Sequence, residues 1–285
     1  MHLYVKIVNQ EVTFLKQGYC HICQKYGNLT FEHVPPHKAF NDRRAKSIEG
    51  NEAIKLISEK DRMPWDTTGL KYKSKQRGMG IYSLCSSCNN LTGKYYGNEY
   101  IKFAQTMAKV IFDNDISGKS MIGVKLEGVY VSRIAKQVLS MFCSTYPGFT
   151  KTYPIVKDLI LNKDETIEDY SKFRITMFIL KEFKIGYTGL TAMLCGNGKI
   201  KTVAEIDAYP FGFVLELEPK EDNPDLDITH FLSHKYDEKF DLEMGINIRE
   251  RNIMFPTDFR TKEEIMACKE ENNRKIEEIN KQKIG

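Results

Sequence analysis

Two Cys-x-x-Cys pairs, Cys20/Cys23 and Cys85/Cys88, bracket the run Glu32-His33-Val34-Pro35-Pro36. Paired thiolates at this spacing suit one tetrahedral zinc, and four of them leave no open coordination position, so the ion would be structural. Asn89 and Asn90 directly follow the second pair. A carboxylate and an amide oxygen are hard ligands suited to Mg²⁺ or Mn²⁺. A neutral imidazole takes a proton from water near neutral pH. Together these residues are the parts for metal-assisted hydrolysis of a phosphodiester. Glu32 and His33 are neighbours on an expected strand, so they face opposite ways unless the chain bends, and the two prolines beside them favour a bend. A rival zinc set, Cys20, Cys23, His33 and His37, would resemble a two-Cys, two-His finger. Pro35 and Pro36 forbid the helix such a finger needs, and that set would strand Cys85 and Cys88. Cys143, Cys195 and Cys268 read as isolated thiols.

The elements that must position these groups follow from patterning. Residues 3–7 and 11–15 are short β-prone segments, and 28–33 alternates toward a strand. Residues 38–77 look like an irregular insertion with a net charge of +5. Within it Lys71, Lys73, Lys75 and Arg77 alternate. Gly78 and Gly80 bend the chain into residues 81–84. Tyr96, Tyr100, Phe103, Met107, Val110 and Ile111 recur at helical spacing, which predicts a helix from Lys94 to about Asp113. Further helices are expected near 131–142 and 153–161. Strands are expected at 173–180, 191–195, 200–206, 211–218 and 241–248, with a hairpin turn at Gly196-Asn197-Gly198. Residues 261–282 predict a highly charged helix.

The motif series C-x-x-C, Glu-His-x-x-Pro, C-x-x-C-Asn resembles the zinc-stapled branch of the HNH endonucleases, the ββα-metal or His-Me finger fold. The resemblance covers about residues 18–105. It implies that His33 is the general base. It implies that Glu32 and Asn89 hold a catalytic Mg²⁺ or Mn²⁺, while Cys20, Cys23, Cys85 and Cys88 hold a structural Zn²⁺. Asn89 stands where the last His of the family name sits, and the helix after Lys94 would be the α of ββα. The chain departs from the family in two places. Gly78–Tyr82, where an Asn usually braces the metal loop, contains none, and 61 residues separate Cys23 from Cys85.

The expected architecture is therefore α+β. It comprises a zinc-stapled ββα-metal module over 1–110, a helical connection over 111–165, a β-rich region over 166–260 and a charged helical tail over 261–285. Hydrophobic residues make up 41% and charged residues 28% of the 285 positions, which excludes fibrous and wholly disordered classes. No apolar run approaches the roughly 18 residues of a membrane span, and residues 1–17 lack the apolar core of a signal peptide, so a cytoplasmic protein is expected. Residues 1–110 carry a net charge of +8 and the remainder −4. That asymmetry directs a polyanion to the first part. Lys71, Lys73, Lys75, Arg77 and Lys94 are the candidate phosphate contacts. The expected function is a DNA endonuclease, in a setting that by family association suits bacterial antiviral defence. The alternative is a non-catalytic zinc-stapled module that binds nucleic acid or docks a protein. The C-terminal region is a candidate surface for a protein partner or for self-association.

Overall fold

The computed structural model describes residues 3–8, 11–48, 52, 55, 62–66, 68–194, 200–251 and 257–284. The first sheet is antiparallel, with β1 (Leu3–Val8), β2 (Glu11–Tyr19), β3 (Tyr26–His33) and β6 (Gly80–Cys85) in the order β1-β2-β3-β6. Between β3 and β6 the chain forms a separate two-stranded ribbon from β4 (Ala45–Ile48) and β5 (Tyr72–Lys75). The basic insertion is thus partly regular, and its residues 49–51, 53–54, 56–61 and 67 lie outside the described set. Thr30 of β3 faces Leu84 and Phe31 faces Tyr82, so Ser83 is an extra residue on β6. Its carbonyl accepts the His21 backbone N–H at 2.9 Å, tying the first cysteine turn to the bulge.

After β6 come α1 (Ser86–Thr92), a single π-turn over Gly93–Gly97, and α2 (Asn98–Asp113). The helix expected from Lys94 therefore begins inside the π-turn. The apolar stripe read from the sequence is its buried face, with Tyr100, Phe103, Met107 and Ile111 all in the core.

The second sheet holds β7 (Met121–Val129), β8 (Phe173–Leu180), β9 (Ile185–Tyr187), β10 (Thr191–Leu194), β11 (Ile200–Ala208), β12 (Phe211–Leu217), β13 (Leu226–Asp227) and β14 (Phe240–Arg249). Its order is β10-β11-β12-β8-β14-β7, with β9 beside β11 and β13 beside β8; β14 and β8 run parallel and the other pairs antiparallel. The expected strands are present to within a few residues, and the turn expected at 196–198 lies outside the described residues. The connection over 111–165 is not purely helical, because β7 forms in it and pairs with β14. A strand whose partner lies more than 100 residues away carries only a weak local signal, and Gly123 and Gly128 dilute it further.

Between these sheets lies α3 (Val131–Thr145), buried along its length apart from Arg133. It is followed by α4 (Phe149–Thr152) and α5 (Pro154–Leu161). Phe103 of α2 stacks on Phe211 of β12 with ring centroids 4.7 Å apart, and Tyr100 meets Phe213 at 6.2 Å. One apolar core consequently runs from Cys20 in the first sheet to Ile248 in the second. The tail helix, α6 (Lys262–Ile284), opens with a reciprocal cap in which Thr261 and Glu264 each accept the other's backbone N–H. Ile265 anchors its first turn. Among the described residues, no helix is long and apolar enough to cross a membrane.

Lys136 is fully buried in α3 and donates to the carbonyls of Asn162 (3.1 Å), Lys163 (2.8 Å) and Glu165 (2.8 Å) just past the end of α5. Burial brings its ammonium down to about 8, against the opposing pull of Asp164 and Glu165. Buried loop carbonyls need donors, and this lysine supplies one to each from the core, the Asn162 carbonyl also accepting the Glu165 N–H at 3.2 Å. Lys136→Met keeps much of the volume but leaves three carbonyls without that donor. With stranded buried groups costing about 1–3 kcal/mol each and some relaxation toward solvent, we expect a loss of about 3 kcal/mol, measured by urea denaturation.

Candidate functional site

The turn after β2 and the start of α1 bring Cys20, Cys23, Cys85 and Cys88 together, with their sulfurs all within 4.8 Å of one another. Cys23 Sγ and Cys85 Sγ are 3.8 Å apart. Tetrahedral zinc with Zn–S bonds of about 2.3 Å requires sulfurs roughly 3.8 Å apart, so the set fits a single structural metal such as zinc. A hydrogen bond from Cys88, aided by the backbone of Cys85, Cys23 and Ile22, pulls the Cys20 thiol down to about 4 against its burial. The Cys88 thiol is pushed up, chiefly by sharing that bond and then by burial.

The cysteine turn is docked on the C-terminal end of α3. His21 Nδ1 lies 2.9 Å from the Ser144 carbonyl and 3.2 Å from that of Cys143. The Thr150 hydroxyl donates to the His21 carbonyl at 2.7 Å. Cys143 is a buried core residue and Cys268 a partly exposed one, while Cys195 lies outside the described residues.

His33 ends β3. Its Nε2 lies 2.9 Å from the Arg77 carbonyl. A carbonyl only accepts, so Nε2 carries the hydrogen and the lone pair sits on Nδ1. Phe31 and His37 meet the imidazole edge-to-face at 5.0 and 5.1 Å. Burial, and secondarily the neighbouring His37, lower the affinity of His33 for a proton, against the pull of the Arg77 carbonyl. At neutral pH the ring is a free base.

The loop beyond His33 is held by a residue that the sequence patterns do not single out. Asn41 is 1% exposed, and its Nδ2 donates to the carbonyls of Pro35 (2.6 Å) and Met79 (2.7 Å). Its Oδ1 accepts the Met79 N–H at 2.7 Å. Asn41 thus ties the loop after β3 to Met79 at the entrance to β6. Gly78 is its trace in the sequence. Gly78 has φ +81°, and a Cβ there would lie 2.1 Å from the Asn41 carbonyl oxygen. A Cβ on Gly80 would lie 2.3 Å from the Glu32 carbonyl oxygen.

Glu32 and His33 do project from opposite faces of β3. Phe31 and His33, two residues apart, touch on one face, whereas Glu32 is buried at 9% exposure on the other. Burial alone pushes the Glu32 carboxyl up to about 7. Thr30 shares that face by alternation, and Asn89 Nδ2 donates to its hydroxyl at 2.9 Å. The Asn89 amide is therefore turned with its donor on the strand, and Oδ1 is the atom left for another partner. Asn90 is exposed, and its amide donates to Ser86.

No family model, curated protein or solved structure matches this chain. Its chemistry must be argued from its own geometry.

Of the expected phosphate contacts, Lys71, Lys73 and Arg77 are exposed and Lys75 is half-buried. Lys73 and Lys75 alternate on β5 and so share one face of the ribbon. Arg77 follows, with its carbonyl on His33. Lys94 is exposed at the π-turn, its ammonium 5.1 Å from the Tyr95 ring. His230 and His234 do not join a metal cluster among the described residues; His234 lies 3.7 Å from Glu238.

This arrangement has measurable consequences. Purified protein should carry one zinc per chain by elemental analysis. Cys85→Ser should lower thermal stability as well as zinc content, because the cluster joins segments far apart in sequence. Asn41→Ala should lower stability by about 2–4 kcal/mol, from three buried hydrogen bonds removed and the groups they strand, while leaving zinc content unchanged.

Proposed function

We propose that this protein is a metal-dependent endonuclease of the HNH type, acting on DNA. The observation that carries the reading is the His33 imidazole, neutral, fixed through Nε2 by a backbone carbonyl and left with a free lone pair on Nδ1. That is the arrangement a general base needs, with orientation and tautomer set before substrate arrives. The surrounding pieces support it. The hairpin β3–β6 is followed directly by α1 and stapled by four cysteines, matching the ββα-metal order. Glu32 and Asn89 offer hard oxygens from one side of β3.

In this reading Nδ1 of His33 takes a proton from water as its oxygen attacks phosphorus and the 3′ oxygen leaves. A divalent cation held by Glu32 and Asn89 Oδ1 would supply Lewis-acid stabilisation of the charge on phosphate and leaving group. Glu32 is kept dry until then, so it would give up a proton on taking the cation. Lys71, Lys73, Lys75, Arg77 and Lys94 would hold the backbone without reading sequence.

One observation favours a second reading. Glu32 and His33 face apart, as they would in a zinc-stapled module that binds nucleic acid without cutting it. Plasmid nicking in Mg²⁺ or Mn²⁺ separates the two. The nuclease should nick, and His33→Ala should slow nicking by about 10²–10⁴-fold with zinc content and DNA affinity retained, since a base acts mainly in the transition state. Glu32→Gln and Asn89→Ala should instead raise the metal concentration required. Binding without nicking in any divalent ion would leave the binding module.

A further inference from the structure

A second basic feature lies away from the lysines of β5, where the loop after β3 meets the C-terminal sheet. A cleft of about 260 Å³ opens there, lined among others by Phe40, Arg43, Arg44, Lys46, Phe183 and Lys184. Among the described residues, none that lines it is acidic. Summed along the sequence, positive charge belongs to the N-terminal part, but here Lys184 from the C-terminal region completes a basic wall begun by residues 43–46.

The cleft is built as well as charged. The Arg43 guanidinium sits 4.7 Å from the centre of the Phe183 ring. Phe183 in turn packs on Tyr209 at 5.2 Å, and Tyr209 on Phe40 at 5.7 Å. This aromatic row seats the guanidinium, so less side-chain freedom is given up when it meets an anion. Lys184 is fixed from behind by Asp207, 3.7 Å away. Asn41 lines the same cleft while its side chain braces the His33 loop. Lys46 lies over the Tyr72 ring at 4.4 Å, on the ribbon face opposite to Lys73 and Lys75, so this wall is separate from those lysines.

We propose that this cleft binds the phosphodiester backbone of the nucleic acid beyond the cut site, and that Arg43, Arg44, Lys46 and Lys184 hold its phosphates. The occupant rests on the nuclease reading above, but the binding does not depend on cleavage. Four cations without a lining carboxylate favour a polyanion over a zwitterion or a mixed-charge peptide. Phe183 and Lys184 line the cleft opposite residues 43–46, so the C-terminal region becomes part of the substrate track.

The test uses full-length, zinc-loaded protein in a His33→Ala background, titrated with fluorescent duplex DNA and with RNA of the same sequence over a range of salt. Arg43→Ala with Arg44→Ala should weaken binding at least tenfold for unrelated sequences alike. It should also reduce the slope of log K against log salt by roughly 0.9 for each duplex phosphate no longer neutralised. Phe183→Ala should weaken binding by a smaller factor by unseating Arg43. Arg43→Lys with Arg44→Lys should retain most of the slope. Equal weakening for DNA and RNA would identify the shared phosphate as the ligand, and weakening confined to one would identify that strand type. Unchanged affinity and slope in the double alanine variant, or no nucleic-acid binding by the His33→Ala parent, would overturn the proposal. If the His33-containing protein fails to cut in any divalent ion but the cleft variants still bind more weakly, the nuclease reading falls and this one stands.

Discussion

Four sulfurs within 4.8 Å of one another set the geometry of everything around them. They join the turn after β2 to the start of α1, across an insertion of 61 residues between Cys23 and Cys85. Closing so long a loop costs entropy that a few strand hydrogen bonds offset poorly. A metal held by the four sulfurs would supply the missing stabilisation, because its binding energy becomes folding energy when the site does not exist in the unfolded chain. With the ends of the insertion fixed, β3 and β6 pair, Ser83 bulges, and His33 and Arg77 come to lie face to face.

That local frame does not stand alone. The helix leaving the second cysteine pair carries Phe103 and Tyr100 onto β12, and the first pair rests on the end of α3 through His21. Because α3 is buried on nearly all sides, the cysteine cluster and the C-terminal sheet share one interior. A division at residue 110 follows the motifs and not the packing. Motifs are local in sequence, whereas Tyr100 and Phe103 of the α2 stripe meet Phe213 and Phe211 of β12, more than 100 residues later.

Legibility in the sequence follows the range of the interaction. The cysteine turns, the stripe of α2 and the strands β8, β11 and β12 obey short-period patterns, and these elements are readable. The strand β7 is not, since its pairing with β14 is remote. The brace Asn41 is equally hidden. A single amide after two prolines has no periodicity, and only the close approach at Gly78 marks where it lands. The opposed faces of Glu32 and His33 are foreseeable from strand alternation, and the bend after His33 does not undo it.

The remaining charges explain how an overall acidic C-terminal region can still contribute Lys184 to a basic wall. Arg251 is buried between Glu205, at 2.7 Å, and Asp207, at 3.6 Å, and Asp207 also pairs with Lys184. Burial raises the Glu205 carboxyl above its ordinary range, against the pull of Arg251. A network buried this deeply is costly unless its members hold one another in place. Here the carboxylates lie behind the sheet surface while Lys184, its ammonium partly exposed, stands at the cleft. Net charge summed over a region therefore misjudges the field it presents. What matters at short range is which sign is buried and which reaches solvent, since exposed charges beyond about 10 Å are screened at 0.1 M salt.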